Sequence, residues 1–167
     1  MRKTVLAALM VCAVCAALCA QSAEEFAGSG TIYLSAENYD KAIAAFTQAI
    51  KLNPHYTDAY AGRAGAYFAT EDYDKAIADF TEVIKLDPQY TQAYHLRGRA
   101  YFYQKNFDKA IADLTQTIKL NPKDAVAYFF RALAYLEKKD DDKALADLTE
   151  AVKLDPSIRD VIAKILE

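Results

Sequence analysis

A chain of 167 residues, 53% hydrophobic and 26% charged, has the length of one ordinary domain and is too apolar for a disordered segment. Its 20 lysines and arginines against 23 acids give a net charge of −3, without the basic excess that phosphate-backbone binding needs, so nucleic acid is not an expected partner. The three cysteines, Cys12, Cys15 and Cys19, all lie near the start of the chain.

Met1 to about Ala20 reads as an export signal. Arg2 and Lys3 precede an uncharged run from Thr4 to Ala20, which is the layout of a secretory leader. Small residues permit cleavage before Ala23 (Ala20-Gln21-Ser22) and, less well, before Gln21 (Leu18-Cys19-Ala20), so residues 1–22 are assigned to the signal. Two alternatives bring in a membrane: an uncleaved anchor, for which the run has the minimum length, and a lipid on Cys19, although Leu18 stands where lipoprotein signals place a small residue. Cys12 and Cys15 form a C-x-x-C inside this apolar run, with no scaffold for redox or metal chemistry. Losing Arg2 and Lys3 takes the charge from −3 to −5 and leaves a cysteine-free exported chain, which only packing can stabilise. The expected address is periplasmic or secreted, with envelope association under either alternative.

The rest of the chain is periodic. Pro54, Pro88, Pro122 and Pro156 are spaced by 34 residues, and each closes the same phrase, beginning with Lys51-Leu52-Asn53-Pro54. This divides the chain into units 23–56, 57–90, 91–124 and 125–158, with a tail at 159–167. The fourth slot holds Phe26, Tyr60, Tyr94 and Tyr128, and the eleventh holds Tyr33, Tyr67, Tyr101 and Tyr135. Alanine fills the twentieth slot (Ala42, Ala76, Ala110, Ala144), and Phe46, Phe80, Leu114 and Leu148 follow four residues later. Apolar residues three, four and seven apart predict two helices per unit, Ala23–Ala36 and Asp40–Leu52 in the first. In the turn between them, Asn or Asp is expected as a left-handed C-cap and Asp40, Asp74, Asp108 and Asp142 as the next N-caps. Proline ends the second helix. A single helical hairpin cannot bury its apolar face, so the units must stack. After Pro156, Ser157 is a candidate N-cap, and Ile158, Val161, Ile162, Ile165 and Leu166 form the stripe of a capping helix.

This pattern resembles the tetratricopeptide repeat family over Ala23 to Ile158, through the period, the aromatic fourth and eleventh slots, small Gly30, Ala64, Gly98 and Ala132 at the eighth, the alanines and the closing proline. One departure is that Glu37, Glu71, Lys105 and Lys139 replace the family's turn glycine. The resemblance implies an all-α, right-handed superhelical solenoid whose first helices line a concave groove for a peptide or partner protein. Where the family usually has an apolar seventh slot, this chain has Arg63, Arg97 and Arg131, and Asp79, Asp113 and Asp147 occupy the twenty-third slot of the same units. The first unit has Ser29 and Ala45 instead. Charges that appear together three times and vanish together once predict the pairs Arg63–Asp79, Arg97–Asp113 and Arg131–Asp147, since a lone charge between helices would cost several kcal/mol. The rival pairing, Arg97 with Asp79 and Arg131 with Asp113, strands Arg63 and Asp147. Either way the pairs are read as framework.

The resemblance also implies which residues line the groove: Ala61, Gly65, Phe68, His95, Arg99, Phe102, Tyr103, Phe129 and Leu133, with Glu24, Asp58 and Glu137 toward the ends. Phe68 and Phe102 have a competing role in packing between first helices. The family variant that grips chaperone C-termini with lysines and asparagines is absent, since only Arg99 among the fifth and ninth slots suits a carboxylate. Two histidines without an expected titrating partner, and five glycines without a phosphate loop, suggest no catalysis, metal or cofactor. A scaffold for another protein or peptide is the leading expectation. Homotypic assembly and a lipid-anchored envelope assembly factor are the alternatives, and the oligomeric state is left open.

Overall fold

The computed structural model describes residues 22–166. The export segment apart from Ser22, its three cysteines, and the side chains of Ile165 and Leu166 lie outside the described residues. The described chain is all helix: α1 (Ala23–Ser35), α2 (Tyr39–Leu52), α3 (Thr57–Ala69), α4 (Tyr73–Leu86), α5 (Thr91–Tyr103), α6 (Phe107–Leu120), α7 (Ala125–Glu137), α8 (Asp141–Leu154) and α9 (Ile158–Leu166). No described helix is long and apolar enough to cross a membrane.

Each odd-numbered helix from α1 to α7 packs most heavily on the even-numbered helix after it, and each hairpin then packs on the next. The first helices also touch one another, α1 on α3, α3 on α5 and α5 on α7, while the second helices make no comparable contacts. Closer spacing of the first helices puts them on the inner side of a curved stack.

The turns differ from expectation by one residue. Glu37, Glu71, Lys105 and Lys139 carry positive φ, from 55° to 60°. They occupy the left-handed position themselves, although none is glycine. The reason is closure of the helix end: after α1, Asn38 N–H donates to Tyr33 O at 2.8 Å and Glu37 N–H to Leu34 O at 3.0 Å, a paired arrangement that requires a left-handed residue at that position. Asn38, Asp72, Asn106 and Asp140 are therefore N-caps, accepting from the backbone N–H of Lys41, Lys75, Lys109 and Lys143. Asp40, Asp74, Asp108 and Asp142, expected as caps, fall in the first turn, where their charge meets the positive end of the helix. At the other end, Asn53, Asp87, Asn121 and Asp155 are extended, as a residue before proline must be.

The core is a series of clusters that straddle neighbouring hairpins. Ala42, Ala76, Ala110 and Ala144 are fully buried, so these helices approach at the distance of a methyl group. Phe46, Phe80 and Leu114 fill the space beside them. Phe46 fits only because glycine lies on both sides: a Cβ on Gly30 would meet its ring at 2.8 Å, and one on Gly62, from the next hairpin, at 2.3 Å.

At the N-terminus, Ser22 Oγ accepts from Glu25 N–H (3.1 Å) and Glu25 Oε2 accepts from Ser22 N–H (3.2 Å), which makes a reciprocal capping box. At the other end α9 starts at Ile158, directly after Ser157. Ile158 is buried and Ile162 packs against the same cluster, whereas Val161 is exposed, so the covering stripe is narrower than its sequence suggests. The Ser157 hydroxyl donates to Asp155 Oδ1 at 2.8 Å.

Candidate functional site

The last three hairpins are each braced by an expected ion pair between the first and second helix. Arg63 Nε and Nη2 donate to the two Asp79 oxygens at 2.7 and 2.8 Å, and Arg97–Asp113 and Arg131–Asp147 repeat this fork. The within-unit pairing is thus the one adopted. The remaining nitrogen, Nη1, donates to a threonine of the preceding hairpin: Thr47, Thr81 and Thr115 at 2.9 to 3.0 Å. Each arginine also lies over the fourth-slot tyrosine, Tyr60, Tyr94 or Tyr128, at 5.5 to 5.8 Å. Hydrogen bonding to Asp79 raises the Arg63 guanidinium above its ordinary range against burial; for Arg97 burial is the largest influence, and Asp113 overcomes it. Among the described residues no hairpin precedes the first to supply a threonine, and there Ser29 and Ala45 stand in place of the pair. Beside them an open pocket of about 350 Å³ includes Phe26, Tyr33 and Gln48.

The expected groove residues are distributed over two pockets and a ridge. Ala61 and Gly65 line a pocket of about 400 Å³ with Thr31, Leu34, Asp58, Tyr90 and Gln92. A Cβ on Gly65 would meet nothing within 4 Å. Phe102 and Tyr103 line a second pocket of about 320 Å³ with Lys105, Phe107 and Glu137. Between them the aromatic rings pack edge to face: Phe68 on Tyr73 (5.6 Å), Phe102 on Phe130 (5.6 Å) and Tyr103 on Phe130 (6.0 Å). Tyr103, the exposed ring of the set, stacks on Tyr73 at 5.2 Å. Burial, with Glu71 and Tyr103, pushes the Tyr73 hydroxyl above the ordinary phenol range while Arg99 pulls the other way, so it stays neutral.

Phe68 and Phe102 are half-buried against core clusters, so they pack between first helices as well as facing the groove. Phe129 lies apart from the pockets: it packs with Ile158 and Ile162 and meets the edge of Phe130 at 5.7 Å. Leu133 is half-buried on α7. Arg99 lies 5.2 Å from the ring centre of Phe68 and 4.7 Å from that of Phe130. Phe130 and Tyr73 belong to this surface although neither was expected there.

His95 does have a titrating partner, contrary to expectation: its Nδ1 lies 2.8 Å from Asp124 Oδ2. Asp124 also caps α7, accepting from Ala127 N–H at 2.9 Å. Burial alone would raise this carboxyl, but His95 and the backbone donors hold it below the usual carboxylate range. A carboxyl depressed on folding contributes stability above its unfolded pKa of about 3.9 and loses it as pH falls through the folded value. The urea midpoint is therefore expected to drop below about pH 4, and Asp124→Asn should flatten part of that decline. Among the described residues, no cluster of three His, Cys, Asp or Glu side chains could hold a metal ion.

A stack of two-helix units with its first helices lining the inner side is an α-solenoid. A profile of the tetratricopeptide repeat matches residues 28–91 and 95–157, and the chain belongs to that family. Among solved structures it is similar to MamA, at 25% identity and a TM-score of 0.77, covering 83% of this chain and 81% of that one. MamA from Desulfovibrio magneticus RS-1, residues 41 to the end, shares the fold at 21% identity and a TM-score of 0.77, over 81% and 77% of the two chains. The tetratricopeptide domain of Arabidopsis OM64 is 25% identical with a TM-score of 0.67, covering 70% of this chain and 96% of that domain. No curated protein matches the chain. The family and these neighbours are consistent with a protein-interaction scaffold.

Proposed function

We propose that this chain is a noncatalytic exported scaffold that receives a segment of another protein across the inner face of its four units. The observation that carries this reading is the pocket over Gly65. Glycine inside a helix costs about 1 kcal/mol relative to alanine, and nothing in the packing requires it, because the space in front is open. What the missing side chain provides is depth on a face already lined by apolar and aromatic groups. His95 and Asp124 are read as framework, since Asp124 also caps α7. In the export reading, the Ser22 capping box favours cleavage after Ala20, which retains the cap. Cleavage after Ser22 would sacrifice about 1 kcal/mol of helix stability.

The open geometry at Gly65 also supplies the test. Truncating Phe102 or Phe129 would confound binding with folding, because both contact the core and a Phe→Ala change in a core costs about 3–5 kcal/mol. Gly65→Trp starts from a Cβ that meets nothing within 4 Å and projects the indole into the pocket. It is expected to abolish partner crosslinks in the native cell envelope while leaving the melting temperature within a few degrees of wild type. Crosslinks that persist in the filled variant would refute the inner-face assignment.

Homotypic assembly is a second reading, favoured by the open pocket beside Ser29 and Ala45 at the first hairpin. Light scattering on the purified chain separates an assembly from a monomer, and mass spectrometry of the mature N-terminus decides cleavage and any lipid on Cys19.

A further inference from the structure

We infer that Arg99 anchors an acidic side chain within the bound segment, with chain continuing on both sides of it; this rests on the inner-face reading above. Arg63, Arg97 and Arg131 are each occupied by a carboxylate and a threonine. Arg99 has no acid partner and makes no side-chain hydrogen bond among the described residues. Its Nε is buried without a partner, while its two terminal nitrogens keep solvent contact. A buried unpaired donor is rare enough in folded proteins to require an explanation.

The rings of Phe68 and Phe130, at 5.2 and 4.7 Å, hold the guanidinium from two sides and leave its terminal edge for a planar, charged acceptor. Holding the fork in place beforehand removes much of the ordering cost of binding. Position then selects the kind of carboxylate. Along α5, the pocket over Gly65 reaches the first turn at Gln92, the second pocket reaches the last turn at Tyr103, and Arg99 lies between. A terminal carboxylate at Arg99 would leave one pocket empty, whereas an internal Asp or Glu lets the chain fill both. Asp58 is the charged residue of the first pocket, whereas Phe102, Tyr103 and Phe107 line the second together with Lys105 and Glu137, whose charges are opposite. The segment therefore carries a basic residue on one side of its acid and an apolar residue on the other.

The probe is a library of nonapeptides with acetylated and amidated ends, beside a matched set with free C-termini, passed over the immobilised full chain. Capped peptides with an acid flanked by one basic and one apolar residue should be enriched. Arg99→Gln should weaken their retention about 10- to 100-fold, the range for losing a charge-assisted anchor. Arg99→Met, which keeps the contact with both rings, should fail in the same way with an unchanged melting temperature, and Arg99→Lys should restore only part of the affinity. Retention that is blocked by Gly65→Trp but shows no preference for acid and no effect of Arg99→Gln overturns this inference and leaves the inner-face reading standing. Preference for the free C-termini overturns it too. Absence of any retention sensitive to Gly65→Trp overturns both.

Discussion

Asp113→Ala is expected to lower the unfolding free energy by about 3–5 kcal/mol, the range for breaking a buried ion pair from one side. Arg97 and Asp113 are 15% and 10% exposed as side chains, so the arginine left behind would stay largely shielded from water. Its guanidinium would keep the Thr81 hydroxyl, at 2.9 Å, and the faces of Tyr94 and Tyr101, none of which neutralises a charge. The loss is large against the 5–15 kcal/mol that typically stabilises a domain, and the stack should open from its third hairpin, because each hairpin touches only its neighbours. Replacing both partners, Arg97→Met with Asp113→Leu, is expected to recover most of the loss, since it removes the desolvated charges together. Urea unfolding of the single and double variants decides the matter. If Asp113→Ala costs less than about 1 kcal/mol, the value of an exposed pair, the brace described here does not hold the stack together.

Gly62→Ala is expected to be destabilising although it improves helix propensity. The new Cβ would lie 2.3 Å from Cζ of Phe46 and 2.6 and 2.7 Å from its Cε atoms. The ring has no free side to move toward, being 2% exposed and backed by Gly30. Overpacking of this kind costs about 1–3 kcal/mol or more, while the gain from replacing a helical glycine is about 1 kcal/mol. The control lies one turn away on the same helix: Gly65→Ala meets open space and should stabilise by up to about 1 kcal/mol. Adding Phe46→Leu should return Gly62→Ala toward the stability of the Phe46→Leu variant alone. Thermal melts of the four variants read the coupling directly, and equal effects at Gly62 and Gly65 would contradict the packing argument.

The pairing of arginine with aspartate was legible because both charges come and go in the same units. The threonine that completes each brace was harder to find. Thr47, Thr81, Thr115 and Thr149 recur with the same period, but each of the first three serves the hairpin after its own, and Thr149 bonds back to Leu145 instead. The role of Gly62 was hidden because its slot varies, with Gly28, Leu96 and Phe130 in the other units, and what it must accommodate belongs to the preceding hairpin. The turns misled by one position because Glu and Lys carry no sign of left-handed geometry, whereas the adjacent Asn and Asp do. For the candidate site, periodicity identified the inward slots, yet it could not say that Phe68, Phe102 and Phe129 would be half absorbed by packing.

By itself the amino-acid order determined the helical hairpins, their stacking, the closing helix and the three ion-pair partners, since each follows from spacing along one chain. Only the tertiary structure decided how deep the pockets are, which rings remain open and that Arg99 lies between two rings without an acid. Those properties arise where neighbouring hairpins meet, and contact across that boundary depends on the shapes of both sides.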